Sequence, residues 1–169
     1  QGRFLSMISK MKSPSCILEI GTYTGYGTLC LAEGLSDGGK IFTIDRNEEL
    51  LKIQNKYFEM SGKRDKIIQL TGNAKDILEN LDESYDIVFI DADKENYIEY
   101  FNLVSERLNN NGIIISDNVL WSGKVLNSPS KNDEETNILI EFNKTLNEDE
   151  RFETVILPLR DGLSVSRLV

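Results

Sequence analysis

Ile17-Leu18-Glu19-Ile20-Gly21-Thr22-Tyr23-Thr24-Gly25-Tyr26-Gly27-Thr28 is the stretch whose reading decides the fold. An apolar run carrying one acid gives way to glycines alternating with hydroxyl residues, and a helical pattern follows. Apolar residues that end in Gly read as a buried strand entering a tight turn. The glycines let a ligand lie close against the backbone. The helix behind them offers free N–H groups in its first turn. This is a nucleotide-binding corner of Rossmann type with an altered fingerprint. The spacing is Gly21-x-x-x-Gly25-x-Gly27, with Tyr23 where a dinucleotide motif has its second Gly. An adenosine ligand without a pyrophosphate suits that departure better, and an NAD-linked dehydrogenase is disfavoured by it.

Outward from this corner the chain alternates strands and helices. Gln1 to Lys12 has helical spacing and leads into a strand at Cys16–Ile20. The helix after the glycines is expected over Thr28–Leu35, and Asp37-Gly38-Gly39 turns into strand two, Lys40–Asp45. Asn47 caps a helix that ends at Ser61-Gly62. Lys66–Leu70 is strand three, Ala74–Leu81 a short helix, and Tyr85–Ile90 a continuous apolar strand of the doubly buried kind. A helix over Glu95–Leu108, a turn at Asn109–Gly112 and strand five at Ile113–Ser116 come next. Trp121–Asp133 reads as a functional loop, with Trp121 either a wall for an aromatic ligand or a core anchor. After a helix at Glu134–Leu146, strands Phe152–Leu157 and Leu163–Leu168 flank a hairpin turn, Arg160-Asp161-Gly162. The expectation is one α/β domain over 1–169, a mostly parallel seven-stranded sheet closed by an antiparallel pair. The chain starts at Gln1 rather than Met, which reads as the absence of upstream residues.

Composition narrows the function. A chain of 169 residues buries about 70% of its unfolded surface on folding, enough for one core. A net charge of -9 disfavours nucleic acid and anionic membrane surfaces as partners. No apolar run approaches the roughly 18 residues of a membrane span, and no signal peptide is visible. Cys16 and Cys30 lie within apolar pattern and read as reduced thiols of a cytoplasmic protein. There is no histidine, so His-based triads and His-ligated metals are excluded.

Chemistry then falls to carboxylates, amides and Lys at the strand ends. Asp45 closes strand two, placed either to bind ribose hydroxyls or to cap the next helix, and the glycine turn favours ribose. Glu19, flanked by Leu18 and Ile20, needs a partner for its charge, supplied by a ligand or by an internal ion pair. Asp91-Ala92-Asp93-Lys94 follows strand four and Asp117-Asn118 ends strand five, both expected over the same crevice as the glycines. Asp91, Asp117 and Asn118 offer oxygen alone, which suits a hard cation such as Mg²⁺. Lys94 is either a solvated helix-start residue or, beside a metal, a base of lowered pKa.

The same residues carry a resemblance. The chain resembles the cation-dependent, S-adenosylmethionine-dependent O-methyltransferases of the caffeoyl-CoA and catechol type. It does so at Leu18–Tyr26, at Thr43-Ile44-Asp45, at Phe89–Tyr97, at Ser116–Gly123 and at Asp161-Gly162-Leu163. The resemblance implies that Asp91, Asp117 and Asn118 hold a divalent cation, Mg²⁺ first and Ca²⁺ or Mn²⁺ next, and that Lys94 with Asp91 is catalytic. It implies S-adenosylmethionine contacts at Glu19, Gly21, Thr24, Gly25, Gly27, Asp45, Ala74, Asp91 and Asp93. The family often has Ser where Gly27 stands, which removes one hydroxyl here. The implied reaction is metal-dependent methylation of a catechol-like hydroxyl, with a hydroxylated tRNA base as the alternative acceptor. A nucleotide-binding domain without activity is a third reading. A homodimer is the implied assembly.

Overall fold

The computed structural model describes residues 1–127 and 133–169. Its elements are α1 (Gly2–Lys12), β1 (Cys16–Ile20), α2 (Tyr26–Ala32), β2 (Lys40–Asp45), α3 (Leu51–Met60), β3 (Ile67–Thr71), α4 (Ala74–Asn80), β4 (Tyr85–Ile90), α5 (Tyr97–Ser105), β5 (Leu108–Asp117), α6 (Glu134–Glu148), β6 (Phe152–Leu157) and β7 (Leu163–Leu168). The strands form a seven-stranded sheet in the order β3-β2-β1-β4-β5-β7-β6. It is parallel from β3 to β5, while β7 pairs antiparallel with both β5 and β6. This is a Rossmann-like α/β sheet with an antiparallel end, as the strand pattern predicts.

The side-chain period of two explains why the central strands are apolar throughout. Ile17, Ile41, Ile87 and Phe89 face one side, where they pack with Leu5 of α1, Leu31 of α2 and Phe58 of α3. Leu18, Ile44, Val88 and Ile90 face the other, against Tyr97, Phe101 and Phe142 of α5 and α6. Phe142 anchors that layer by edge-on contacts with Tyr97 (centroids 5.3 Å apart) and Phe101 (6.2 Å). With helices covering both faces, the open surface for a ligand is the row of strand C-termini. The strand order reverses between β1 and β4, so the crevice lies there.

Several boundaries differ from the sequence pattern. The helix after the glycines starts two residues early, at Tyr26 with Gly25 as its cap, and stops at Ala32. The helix expected over Glu95–Leu108 divides into a 3₁₀ turn at Lys94–Asn96 and α5, and β5 begins at Leu108. Tertiary bonds override helical propensity here: the Arg107 carbonyl accepts from the Tyr85 N–H at 2.8 Å, and its guanidinium donates to the Leu78 and Leu81 carbonyls. The expected turn at Asn109–Gly112 survives as a register shift inside β5, with Asn111 at φ 59°. The expected loop Trp121–Asp133 opens with a 3₁₀ turn over Trp121–Leu126, and residues 128–132 lie outside the described residues. Among the described residues both cysteines are free thiols, and no helix is long and apolar enough to cross a membrane.

At the end of the sheet away from the crevice, Asp86 ties three segments together. Its Oδ2 accepts from the Ser15 N–H (2.7 Å), the Ser15 hydroxyl (2.8 Å) and the Cys16 N–H (3.1 Å), and its Oδ1 from the Asn109 amide (2.9 Å). Asp86→Ala strands these donors and is expected to lower unfolding stability by about 1–3 kcal/mol in a urea titration, with cofactor affinity unchanged because the crevice lies at the far strand ends.

Candidate active site at the strand C-termini

β1 and β4 approach each other too closely for a side chain at the crevice. Gly21 sits at φ 102°, and a Cβ there would lie 1.9 Å from the Asp91 carbonyl oxygen. Two clefts meet at this point. The smaller, about 270 Å³, is walled by Gly21, Asp45, Ala74, Asp91 and Asp93 among others. The larger, about 710 Å³, is walled by Glu19, Gly21, Thr24, Gly27, Asp91, Asp117 and Asn118, together with Gln1 and Arg160. Asp91 and Gly21 belong to both. Gly25 borders neither and packs on the Phe58 ring, where it holds the turn that starts α2.

Glu19 is 1% exposed. Its Oε2 accepts from the Thr43 hydroxyl at 2.6 Å and from the Thr28 hydroxyl, while Oε1 has no partner among the described residues. A Cβ at Gly27 would stand 2.6 Å from that oxygen, so the glycine leaves it open to the larger cleft. Among the described residues the internal ion pair considered for Glu19 does not form. Burial instead pushes its carboxyl up to about 8, against the pull of the two threonines. An orphaned buried oxygen at a cleft wall is what a ligand ammonium or hydroxyl would satisfy.

Asp45 makes the local bonds of the capping role weighed for it and lines the smaller cleft. Its Oδ1 accepts from the Asn47 N–H (2.8 Å), which stiffens the start of the next helical turn, and its Oδ2 accepts from the Tyr23 N–H (2.7 Å). Each oxygen keeps a lone pair for a ribose hydroxyl. Asp93 accepts from the Tyr100 hydroxyl (3.0 Å) and the Asn96 amide. Thr28, Thr43, Asn96 and Tyr100 thus belong to the site, although nothing in their local sequence marks them.

Asp91 and Asp117 face each other at the larger cleft. Burial raises the Asp91 carboxyl and the Asp117 charge raises it further, against Lys94 and Arg160. Asn118, held at φ 60°, presents its amide oxygen alongside. Among the described residues no group of three His, Cys, Asp or Glu side chains is placed to hold a metal. The candidate set is two carboxylates and an amide. Two mutually repelling carboxylates with a neutral oxygen fit a hard divalent cation that keeps waters, and they have nothing to offer a soft one. Three of these oxygens are already engaged: the Gln1 amide donates to Asp117 Oδ2 at 2.6 Å, the Asn118 N–H to Asp117 Oδ1 at 2.7 Å, and Lys94 Nζ to the Asn118 amide oxygen at 3.0 Å.

Lys94 is not the solvated residue that its helix-start position suggests. It is 6% exposed, and its Nζ donates to the Ala92 carbonyl (3.1 Å), the Asn118 amide oxygen (3.0 Å) and the Tyr97 hydroxyl. Burial lowers its pKa, while Asp91 and Asp117 oppose that shift. It stands behind Asn118 and borders neither cleft as described. Trp121 likewise borders neither cleft. It packs beside the core, 6.0 Å from Lys94 Nζ to its ring centre, with its indole N–H unpartnered among the described residues.

The family model described as O-methyltransferase matches residues 1–169. The chain belongs to this O-methyltransferase family. Caffeoyl-CoA O-methyltransferase 5 of Nicotiana tabacum is 35% identical to it over 180 residues, covering 100% of this chain and 75% of that protein. The solved O-methyltransferase from Bacillus cereus in complex with SAH is 31% identical, covers 100% of this chain and 80% of that one, and superposes with a TM-score of 0.93. TomG, an O-methyltransferase from Streptomyces achromogenes solved with SAM, is 26% identical, with coverage of 100% and 79% and a TM-score of 0.94. This O-methyltransferase is an enzyme that uses S-adenosylmethionine.

The raised Glu19 carboxyl sets the sign of a pH effect on the O-methyltransferase. A free Glu loses its proton near 4.5, whereas the folded chain keeps it until about 8, so stability falls as pH rises between these values. Glu19→Gln mimics the protonated side chain and keeps an acceptor for both threonines. Thermal melts are expected to coincide with wild type near pH 5 and to favour the variant by pH 8; a constant difference at both pH values would refute the assignment.

Proposed function

We propose that this O-methyltransferase transfers the methyl group of S-adenosylmethionine to a hydroxyl of a catechol-like acceptor, with the help of a divalent cation at Asp91, Asp117 and Asn118. The observation that carries this reading is the meeting of the two clefts at Asp91. A nucleoside-sized space with an acid at its ribose end opens onto a larger space walled by an oxygen-only donor set.

In the smaller cleft Asp45 would hold the ribose, with Ala74 beside the adenine. Asp93 would face the methionine amine, and the open oxygen of Glu19 and the Gly21–Gly27 turn would receive the rest of the amino-acid portion. The cofactor brings an electrophilic methyl on sulfur. A divalent cation, when bound, supplies positive charge that lets a phenol ionise near neutral pH. The chain's own part is positioning and proton handling. Asp91, Asp117 and Asn118 would orient two neighbouring acceptor oxygens, and Lys94, held behind Asn118 by its bond to the amide oxygen, would take the proton once neutral and released from that bond. No enzyme nucleophile is needed, consistent with a chain free of histidine and with two cysteines placed in the core.

The test is methyl transfer from labelled S-adenosylmethionine to a panel of catechols, with Mg²⁺ or with EDTA. Transfer that EDTA abolishes is expected. Retained cofactor binding with no transfer to any catechol would move the acceptor to another class, a hydroxylated tRNA base first. Asp117→Ala should lower metal-dependent transfer by about a hundredfold or more while leaving cofactor affinity near wild type. Asp45→Ala should do the reverse, weakening cofactor binding by about 10- to 100-fold in calorimetry with the metal response intact. Equal loss of both functions in either variant would overturn the division between the clefts.

A further inference from the structure

The turn Arg160-Asp161-Gly162, predicted only as a hairpin connection, is brought by the fold to the wall of the larger cleft. Four hydrogen bonds fix it. The Gly162 N–H donates to the Leu159 carbonyl (3.0 Å), Val119 N–H to the Gly162 carbonyl (3.2 Å), Leu120 N–H to the Asp161 carbonyl (2.9 Å), and Ser122 N–H to the Asp161 carboxylate. Gly162 packs so tightly on Leu120 that a Cβ would lie 2.5 Å from its Cγ. The turn is therefore locked to the segment that directly follows Asp117 and Asn118, and its position relative to the candidate cation ligands is set.

Within this locked turn Arg160 adopts φ 55°, a left-handed conformation uncommon for a residue with a Cβ. Strain of this kind persists where surrounding structure imposes it, and it concentrates at ligand-binding positions. The Arg160 side chain lines the larger cleft beside Asp91 and Asp117. Among the residues described along that cleft it is the one with a cationic side chain. Its charge is felt at Asp91, yet the guanidinium makes no hydrogen bond or salt bridge with any described residue. A planar fork left unpaired next to two acids, in a chain of net charge -9, is available for bidentate pairing with an anion.

We infer that Arg160 is a specificity-determining residue of the acceptor cleft, selecting acceptors that carry an anionic group, in its simplest form a carboxylate, beyond their paired hydroxyls. This rests on the methyl-transfer reading for what occupies the cleft. The cation ligands address the hydroxyl end of the acceptor, and Arg160, fixed to them through residues 119–122, addresses its charged end. Because Arg160 is exposed, the pairing is screened by salt and the selectivity shrinks as ionic strength rises.

The experiment measures binding of 3,4-dihydroxybenzoate and its neutral analogue 3,4-dihydroxybenzamide to the full chain loaded with Mg²⁺ and S-adenosylhomocysteine, with methylation rates taken in parallel. Wild type is expected to prefer the benzoate by about tenfold. In Arg160→Gln the ratio falls toward one because the benzoate loses affinity, and Arg160→Lys restores part of it. An unchanged ratio in Arg160→Gln overturns the inference, as does an equal loss for both compounds, which would make Arg160 a shaping residue alone. Binding with the expected ratios but no methyl transfer would sustain Arg160's role and overturn the methyl-transfer reading. Binding of neither compound to wild type would overturn both.

Discussion

The carbonyl of Asp91 occupies the place where any side chain on residue 21 would have to be. That contact between the ends of β1 and β4 is possible only for glycine, and the site is arranged around it. It brings the turn that follows β1 against the acid that ends β4, so that the smaller and the larger cleft share a wall instead of lying apart. A methyl group passed between two ligands needs this adjacency, since in-line displacement tolerates little error in placement.

Around that contact the enzyme manages charge without an imidazole. Glu19 is kept protonated over much of the neutral range by burial, Asp91 and Asp117 are left close enough to repel, and Lys94 is buried against three acceptors. Two unmet groups stand at the clefts, the open oxygen of Glu19 and the unpaired guanidinium of Arg160. Stability is lower at such places than local optimisation would allow, as is common where binding groups are preorganised.

Much of this was legible in the sequence, for identifiable reasons. The strands Cys16–Ile20, Lys40–Asp45, Tyr85–Ile90, Phe152–Leu157 and Leu163–Leu168 match the pattern residue for residue, because doubly buried strands and a tight hairpin leave strong local signals. The acids at the strand ends were also visible, and the sheet order brings them together as expected. What stayed hidden depends on distant partners. Thr28 and Thr43 look like ordinary helix and strand residues until the fold points both at Glu19. The end of α5 moved because the Arg107 backbone joins Tyr85, and Gln1 reaches Asp117 from the opposite end of the chain. Local pattern places elements; it does not say which side chains will share a cavity.

The sheet order also bears on how the molecule is made. Its central pairings join Ile17 to Ile87 and Ile87 to Ile113, so the middle of the sheet consists of segments far apart along the chain. Contacts of high sequence separation carry a loop-closure cost before any apolar burial repays it, and such topologies fold slowly for their size. The neighbours β1 and β2 can pair early, but β1 has no second neighbour until β4 has been synthesised. The common wall of the two clefts therefore cannot exist in any partly translated chain that ends before residue 91. A ligand bound at this wall stabilises only the finished sheet.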